Sequence, residues 1–294
     1  MTADVSYDRC SRLAREHYEN FPVGWLVGKE LRPHVHAIYA FARVADDLAD
    51  EGYDLNSPDG QPLAQEEVRI EALTRYEEQL EAALAGRELD PGWAWIFRPL
   101  ARTIRELDLP PILFRDLLSA FRQDVVKRRY RNFAEVLDYC RRSANPIGRL
   151  VLAVHGYREE SLDELSDQIC TGLQLANFWQ DVSVDLKKDR IYLPEEDLDA
   201  FGLREEDLKI GQVGGSFRDL MRFEVDRTQT FFEAGRALPS RLRGKLALEI
   251  RLTWLGGTGI LQKIRRLNYN TLAQRPKWSK WELPLLLLHA LWKP

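Results

Sequence analysis

Apolar residues recur at steps of three and four along most of this chain. In residues 66–85, Leu73, Tyr76, Leu80 and Leu84 share one helical face. In 216–235, Phe217, Leu220, Met221, Val225, Thr228, Phe231 and Phe232 do the same. That period predicts helices. It extends the prediction to 31–50, 111–125, 133–154, 161–185, 241–269 and 279–292. No alternating β-branched run lies between turn signals, so strands have little support. Residues 52–62, GYDLNSPDGQP, read as a loop. LDPG at 89–92 and Pro110–Pro111 bound helices. Residues 186–203 form a charged connector, and Gly211, Gly214 and Gly215 precede the 216–235 helix. Asn145–Pro146 sits inside the 133–154 pattern, where a missing backbone donor predicts a kink. No break is a long linker, so residues 1–294 read as a single all-α domain.

Two of these helices carry acids within their apolar pattern. In YAFARVADDLAD (39–50), Asp46 and Asp50 stand four residues apart, with Asp47 adjacent and Arg43 and Tyr39 continuing the face. In QLANFWQDVSVD (174–185), Asn177, Asp181 and Asp185 are spaced by four, with Gln174 three residues before Asn177. Like charges at this spacing oppose a helix by a few tenths of a kcal/mol. Carboxylates among apolar neighbours cost far more unless paired or metal-bound. Two such stripes facing a common cavity would be stabilised by Mg²⁺, which shares its shell readily with phosphate oxygens. The pattern therefore suggests a diphosphate clamp that stabilises a leaving group. The bland alternative is a pair of solvated helix faces.

Composition narrows the chemistry. Forty-two basic and 46 acidic residues give a net charge of −4, the opposite of a general nucleic-acid binder. With only five histidines, metal chemistry would fall to carboxylates, which favour Mg²⁺ or Mn²⁺ over Zn²⁺. Three widely spaced cysteines, Cys10, Cys140 and Cys170, suggest a reduced cytoplasmic protein. The start of the chain shows no leader pattern. LPLLLLHALW at 283–292 falls well short of a membrane span and reads as a packed helix, with a membrane contact as the alternative. The basic run VVKRRYR at 125–131 reads as a solvated face, with peripheral contact to anionic lipid at the inner membrane as its alternative.

IYAFARVADDLAD and LQLANFWQDVSVDLKKDRIYLP resemble the two aspartate-rich motifs of the squalene/phytoene synthases, with 135 residues between Asp46 and Asp181. The resemblance runs from about Tyr18 to Trp278. It implies an isoprenoid-synthase helical bundle around a central cavity, with Mg²⁺ and prenyl diphosphate substrates. EHYENFPVG (16–24), YCRRSANPIGRLVL (139–152) and NFWQDV (177–182) resemble, more narrowly, the hopanoid-pathway hydroxysqualene synthases of the HpnC type. That likeness implies a lyase converting presqualene diphosphate and water to hydroxysqualene and diphosphate, without a nicotinamide cofactor. Pathway enzymes upstream and downstream would be its partners. The alternatives are a head-to-head prenyltransferase making presqualene diphosphate, squalene or phytoene, and a non-catalytic assembly factor of the same fold.

Several positions depart from the wider family. His17-Tyr18-Glu19-Asn20-Phe21 replaces a His-Ser-x-Ser-Phe segment, Gln180 replaces an arginine, and Ser143 to Gly148 replace V-A-G-T-V-G. A tyrosine is common at the place of Arg141.

The resemblance implies roles residue by residue. Asp46, Asp50, Asp181 and Asp185 would ligate Mg²⁺, assisted by Asn177, with Asp47 in support or on a third ion. Arg43, Arg190, Tyr192, Arg275, Gln174, His17 and Asn20 would contact diphosphate; a guanidinium grips phosphate oxygens bidentately. Tyr39 would orient the diphosphate or stabilise positive charge. A carbocation survives in an apolar, water-excluding pocket with aromatic walls. Phe21, Phe41, Phe178 and Trp179 are candidates for that wall, with Phe231 and Phe232 behind them. One quenching water needs a polar group inside; Arg141, Asn145, Asn20 and Gln180 are the candidates.

Overall fold

Fourteen α-helices make up the described structure: α1 (Ala3–Glu16), α2 (Arg32–Asp50), α3 (Glu66–Leu84), α4 (Ala94–Glu106), α5 (Pro111–Val126), α6 (Phe133–Ser143), α7 (Asn145–Val154), α8 (Glu160–Asp185), α9 (Glu195–Ala200), α10 (Glu205–Lys209), α11 (Gly215–Gly235), α12 (Leu238–Arg241), α13 (Gly244–Arg266) and α14 (Leu283–Trp292). This computed structural model describes residues 3–16, 27–50, 66–210, 214–279 and 281–292. Among them there is no strand.

The apolar period located most of the long helices, but it missed the short helices α9, α10 and α12, the first of them inside the expected 186–203 connector, and three further features. The expected 133–154 helix does not merely kink: it stops at Ser143 and restarts at Asn145, with Pro146 in the first turn of α7, where its missing donor has no intrahelical partner to lose. Helix α1 lies in a segment with no apolar run. Helix α4 carries Pro99 in its interior. Proline there leaves the Trp95 carbonyl without its usual amide, and Cys10 Sγ donates to that oxygen at 3.5 Å.

The chain falls into two compact units, Met1–Val126 with Arg149–Arg158, and Lys127–Gly148 with Glu159–Pro294. The core of the first unit is aromatic. Phe41, Tyr76, Phe97 and Phe114 are fully buried. Phe41 stacks on Tyr76 at 5.5 Å and meets Phe114 edge-on at 5.4 Å. The Tyr76 hydroxyl donates to the Phe41 carbonyl at 3.2 Å, so its one polar atom is satisfied inside the core. His34 and His36, expected to be structural, hydrogen-bond Thr103 and Ser11, each at 2.9 Å. Burial lowers the pKa of both.

The second unit is organised by α8, α11 and α13. Phe232 of α11 is fully buried, and its ring sits against Gly172 of α8 and Gly257 of α13, where there is no room for added side chains. Gly235 lies against Ile169 and the Leu165 carbonyl in the same way. The small residues let three helix backbones close around one ring. Trp179 of α8 donates to Thr228 Oγ1 at 2.7 Å, and Thr228 donates in turn to the Glu224 carbonyl at 2.8 Å. This link sets the rotation of α8 two residues before Asp181. No helix among the described residues is long and apolar enough to cross a membrane.

Candidate active site

On α2, Ala37, Phe41, Val44, Ala45 and Leu48 are buried at helical spacing. That turns Tyr39, Arg43, Asp46 and Asp47 to the other side, where all four are half-buried. Arg43 supplies the counter-charge from one turn away: Nη2 reaches Asp47 Oδ1 at 2.5 Å and Nη1 reaches Asp46 Oδ2 at 3.4 Å. The two carboxylates differ. Asp47 is 13% exposed and Asp46 45%, so Asp46 offers the more accessible oxygens. Asp50 closes α2 one turn further on; its side chain lies outside the described residues. So do His17, Asn20 and Phe21, the candidates of the 16–24 segment.

On α8, Asn177 donates to Asp181 Oδ2 at 3.2 Å. Arg275 clasps the same carboxylate with both faces of its fork, Nε to Oδ1 at 2.5 Å and Nη2 to Oδ2 at 2.9 Å. That bidentate pair raises the pKa of Arg275 further. Two contacts hold Arg275 in place. Gln180 Nε2 donates to the Pro276 carbonyl at 2.6 Å. Trp278 lies on Gly259 and donates to the Gly256 carbonyl at 3.1 Å. Trp278 was not a candidate from sequence; its signal is the glycine pair one turn apart in α13.

Past α8 the chain turns back at Asp189, whose φ of 57° is a left-handed geometry that aspartate tolerates. The turn brings Arg190 and Tyr192 to α8. Tyr192 stacks on Phe178 at 3.7 Å with the planes 10° apart. Phe178, Asp185, Arg190 and Tyr192 line one small cleft.

Other candidates fall elsewhere. Phe41 and Trp179 are fully buried core residues of their units, so their faces are occupied by neighbours and not by a cavity. Phe232 is likewise core. Phe231 packs edge-on against Phe133 at 6.3 Å. Arg141 points outward, 59% exposed and paired with Asp138 at 2.8 Å. It is not a polar group in an apolar interior: the i, i+3 pair holds it on the solvent side of α6. Asn145 is 8% exposed, and its Oδ1 accepts from Thr171 Oγ1 at 3.0 Å. It remains a buried polar group at the restart of α7. Gln174 is half-buried on α8.

One charged cluster was missed. Glu224 is fully buried on α11. Arg227 reaches both of its oxygens, at 2.8 and 2.7 Å, and Asp197 of α9 at 2.6 Å. Its guanidinium also lies over the Phe133 ring at 3.5 Å. Burial pushes the Glu224 carboxyl up to about 8 against the pull of Arg227. The cluster ties α9, which follows Tyr192, to α11. The readable signal was Glu224 itself, an acid four residues from both Leu220 and Thr228 in the buried stripe.

The donors on both helices are carboxylate and amide oxygens, the set a hard divalent cation prefers. Among the described residues no three His, Cys, Asp or Glu form a ready metal cage. Such a donor set suits an ion that arrives sharing its shell with substrate phosphate oxygens.

Comparison with known proteins leads to the same family. Residues 14–282 match the squalene/phytoene synthase family. The chain is 36% identical to a hydroxysqualene synthase of Rhodopseudomonas palustris, over 79% of this chain and 74% of that one. It is 32% identical to a phytoene synthase of Arthrospira platensis, over 98% and 94% of the two chains. Among solved structures, the squalene synthase HpnC from Alicyclobacillus acidocaldarius superposes with a TM-score of 0.81 at 40% identity, covering 91% of this chain and 96% of that one. With a family match over most of its length and an all-helical isoprenoid-synthase fold, the chain belongs to the squalene/phytoene synthase family.

Proposed function

We propose that this protein is a Mg²⁺-dependent hydroxysqualene synthase, converting presqualene diphosphate and water to hydroxysqualene and diphosphate. The family consists of enzymes acting on prenyl diphosphates; the proposal concerns which one. The observation that carries it is the set of polar departures on α8 and α7. The family pattern that the second motif resembles has arginine at the place of Gln180, and here the Gln180 amide donates to the Pro276 carbonyl. One cation fewer beside Asp181 leaves Arg275 as the clasp on that carboxylate. Asn145 adds a buried amide to an otherwise apolar stretch.

In this reading Asp46, Asp50, Asp181 and Asp185 would hold Mg²⁺, with Asn177 assisting. Bound Mg²⁺ supplies charge that stabilises the departing diphosphate. Arg43, Arg190 and Arg275 would bind phosphate oxygens, and Tyr192 lines the cleft that holds Arg190. The carbon–oxygen bond to diphosphate breaks, its electron pair leaving with the diphosphate. The rearranged carbocation takes the oxygen of one water, and that water's proton is lost to solvent or diphosphate. Asn145 orients the water through its amide.

The test is product identification. Purified protein with Mg²⁺ receives presqualene diphosphate, and separately farnesyl diphosphate, with products read by mass spectrometry. Hydroxysqualene from the first and no consumption of the second is the expected result. Conversion of farnesyl diphosphate to a thirty-carbon product would favour the second reading, a head-to-head prenyltransferase. The 32% identity to a phytoene synthase supports that alternative. Asn145→Gly and Gln180→Arg should shift the ratio of alcohol to hydrocarbon products. An unchanged ratio removes the residue from the water-holding role.

A further inference from the structure

The sequence offered two places for contact with lipid, and the structure separates them. The basic run is spent internally. Lys127 and Arg131 pair with Glu135, and Arg129 pairs with Asp189 and Glu205. Arg128 lies 3.7 Å from Asp189. Those contacts hold Glu135 and Glu205 down near 2. The cations of that run are thus engaged by acids of the same unit, and no apolar face lies among them.

Helix α14 is the opposite case. It packs on α13 through a narrow stripe, with Leu286 and Ala290 buried. Arg251 of α13 donates to the Ala290 carbonyl at 3.0 Å, and Lys263 pairs with Glu282 at the other end. The rest of the helix is leucine facing solvent. Leu285 and Leu288 are each 60% exposed, with Leu283, Leu287 and Leu291 exposed beside them. Trp281, just before the helix, is 89% exposed. No acid lies between Leu283 and Trp292. A ten-residue helix is about 15 Å long, half of what a bilayer core requires, so it can lie on a membrane and not span it.

A cavity of about 500 Å³ is lined by Arg236, Arg251, Trp254 and His289. The residues that border it include Arg236 and Arg251 against one acid, Glu233. Apolar residues with an interfacial tryptophan, beside a basic pocket, match the headgroup–acyl boundary of an anionic bilayer.

We infer that α14 and the basic pocket beside it form a docking surface for an anionic lipid bilayer: the leucines enter the acyl boundary and the Arg236–Arg251 cavity receives a phosphate headgroup. The surface is independent of the reaction proposed above and is tested without substrate.

The full chain is floated with vesicles of equal parts phosphatidylglycerol and phosphatidylcholine, and with phosphatidylcholine alone. The chain should rise with the anionic vesicles and bind the neutral ones less. Leu285→Glu with Leu288→Glu, both at exposed positions, should weaken binding at least about tenfold at unchanged Tm. Arg236→Glu should weaken it about fivefold. Failure of the wild type to float, or floating of the double variant as well as the wild type, overturns the inference. So does a dimer by sedimentation velocity that the double variant dissociates, because a second copy would then cover the leucines.

Discussion

The acid stripes of α2 and α8 pose the same electrostatic problem and solve it differently. On α2 the counter-charge is local: Arg43 reaches Asp46 and Asp47 from one turn away on the same helix. On α8 it comes from Arg275, 94 residues later, and depends on Gln180 and Trp278 to hold it. A local pair forms whenever its helix forms. A distant pair forms only when the unit has folded, and it can be displaced without unwinding anything. Charge on the α2 stripe is thus offset in part from within its own helix, and charge on the α8 stripe in part through tertiary packing.

The strongest test asks whether the two stripes are equally essential. Asp46→Ala and Asp181→Ala should each lower turnover by about 10²–10³-fold with the helical circular dichroism unchanged. Full activity in either variant would break the equivalence and the metal assignment with it.

The next separates the counter-charges. Arg275→Gln frees Asp181, so Mn²⁺ alone, followed by electron paramagnetic resonance, should bind about three- to tenfold more tightly. The diphosphate substrate should bind about tenfold more weakly, from loss of a charged bidentate contact. Unchanged Mn²⁺ affinity would mean that the clasp does not operate in solution. Arg43→Gln should act in the same direction on α2.

Smaller effects test the dependence on packing. Trp278→Phe keeps the ring and removes the indole donor, and should raise KM about threefold at constant kcat. On α2 the pairs of Arg43 lie within one helix, so a change outside it should move KM less.

The smallest effect concerns the frame behind α8. Glu224 has a folded pKa of about 8, above its usual 4.5. The folded state therefore binds more protons than the unfolded one between those values. Stability should be greatest below about pH 4.5 as far as this group is concerned, and fall as pH rises towards 8. Glu224→Gln should flatten that slope, leaving the variant about 3 °C less sensitive between pH 5 and 8 by thermal melting. Asp197 and Arg227 are the charged groups facing Glu224, so Asp197→Asn should reduce the same slope.

Much of this was legible because helices are local. The period of α3, α8 and α11 placed their buried faces, and the i, i+4 acids of α2 and α8 marked the candidate site before any coordinates. Motif resemblance then named the family. What sequence could not place were contacts across long separations. Arg141 was a candidate for an interior polar group because it departs from the family pattern, but the side of α6 it occupies depends on what that helix packs against, and it faces solvent beside Asp138. Phe41 and Trp179 looked like walls of a cavity because aromatic residues at helical spacing serve core and cavity alike. Only packing shows that Tyr76, Phe97 and Phe114 occupy the faces of one, and that Thr228 holds the other.

The sequence by itself determined the long helices α2, α3, α5, α8, α11 and α13, the two acid stripes, and the family. Each depends on spacing within one helix or on a contiguous motif. Tertiary structure alone decided that Arg275 clasps Asp181, that Phe232 fits between Gly172 and Gly257, that Glu224 shares Arg227 with Asp197, and that the α14 leucines face outward. Those outcomes depend on which surfaces meet when helices pack, and an apolar period says which face of a helix is greasy without saying what will cover it.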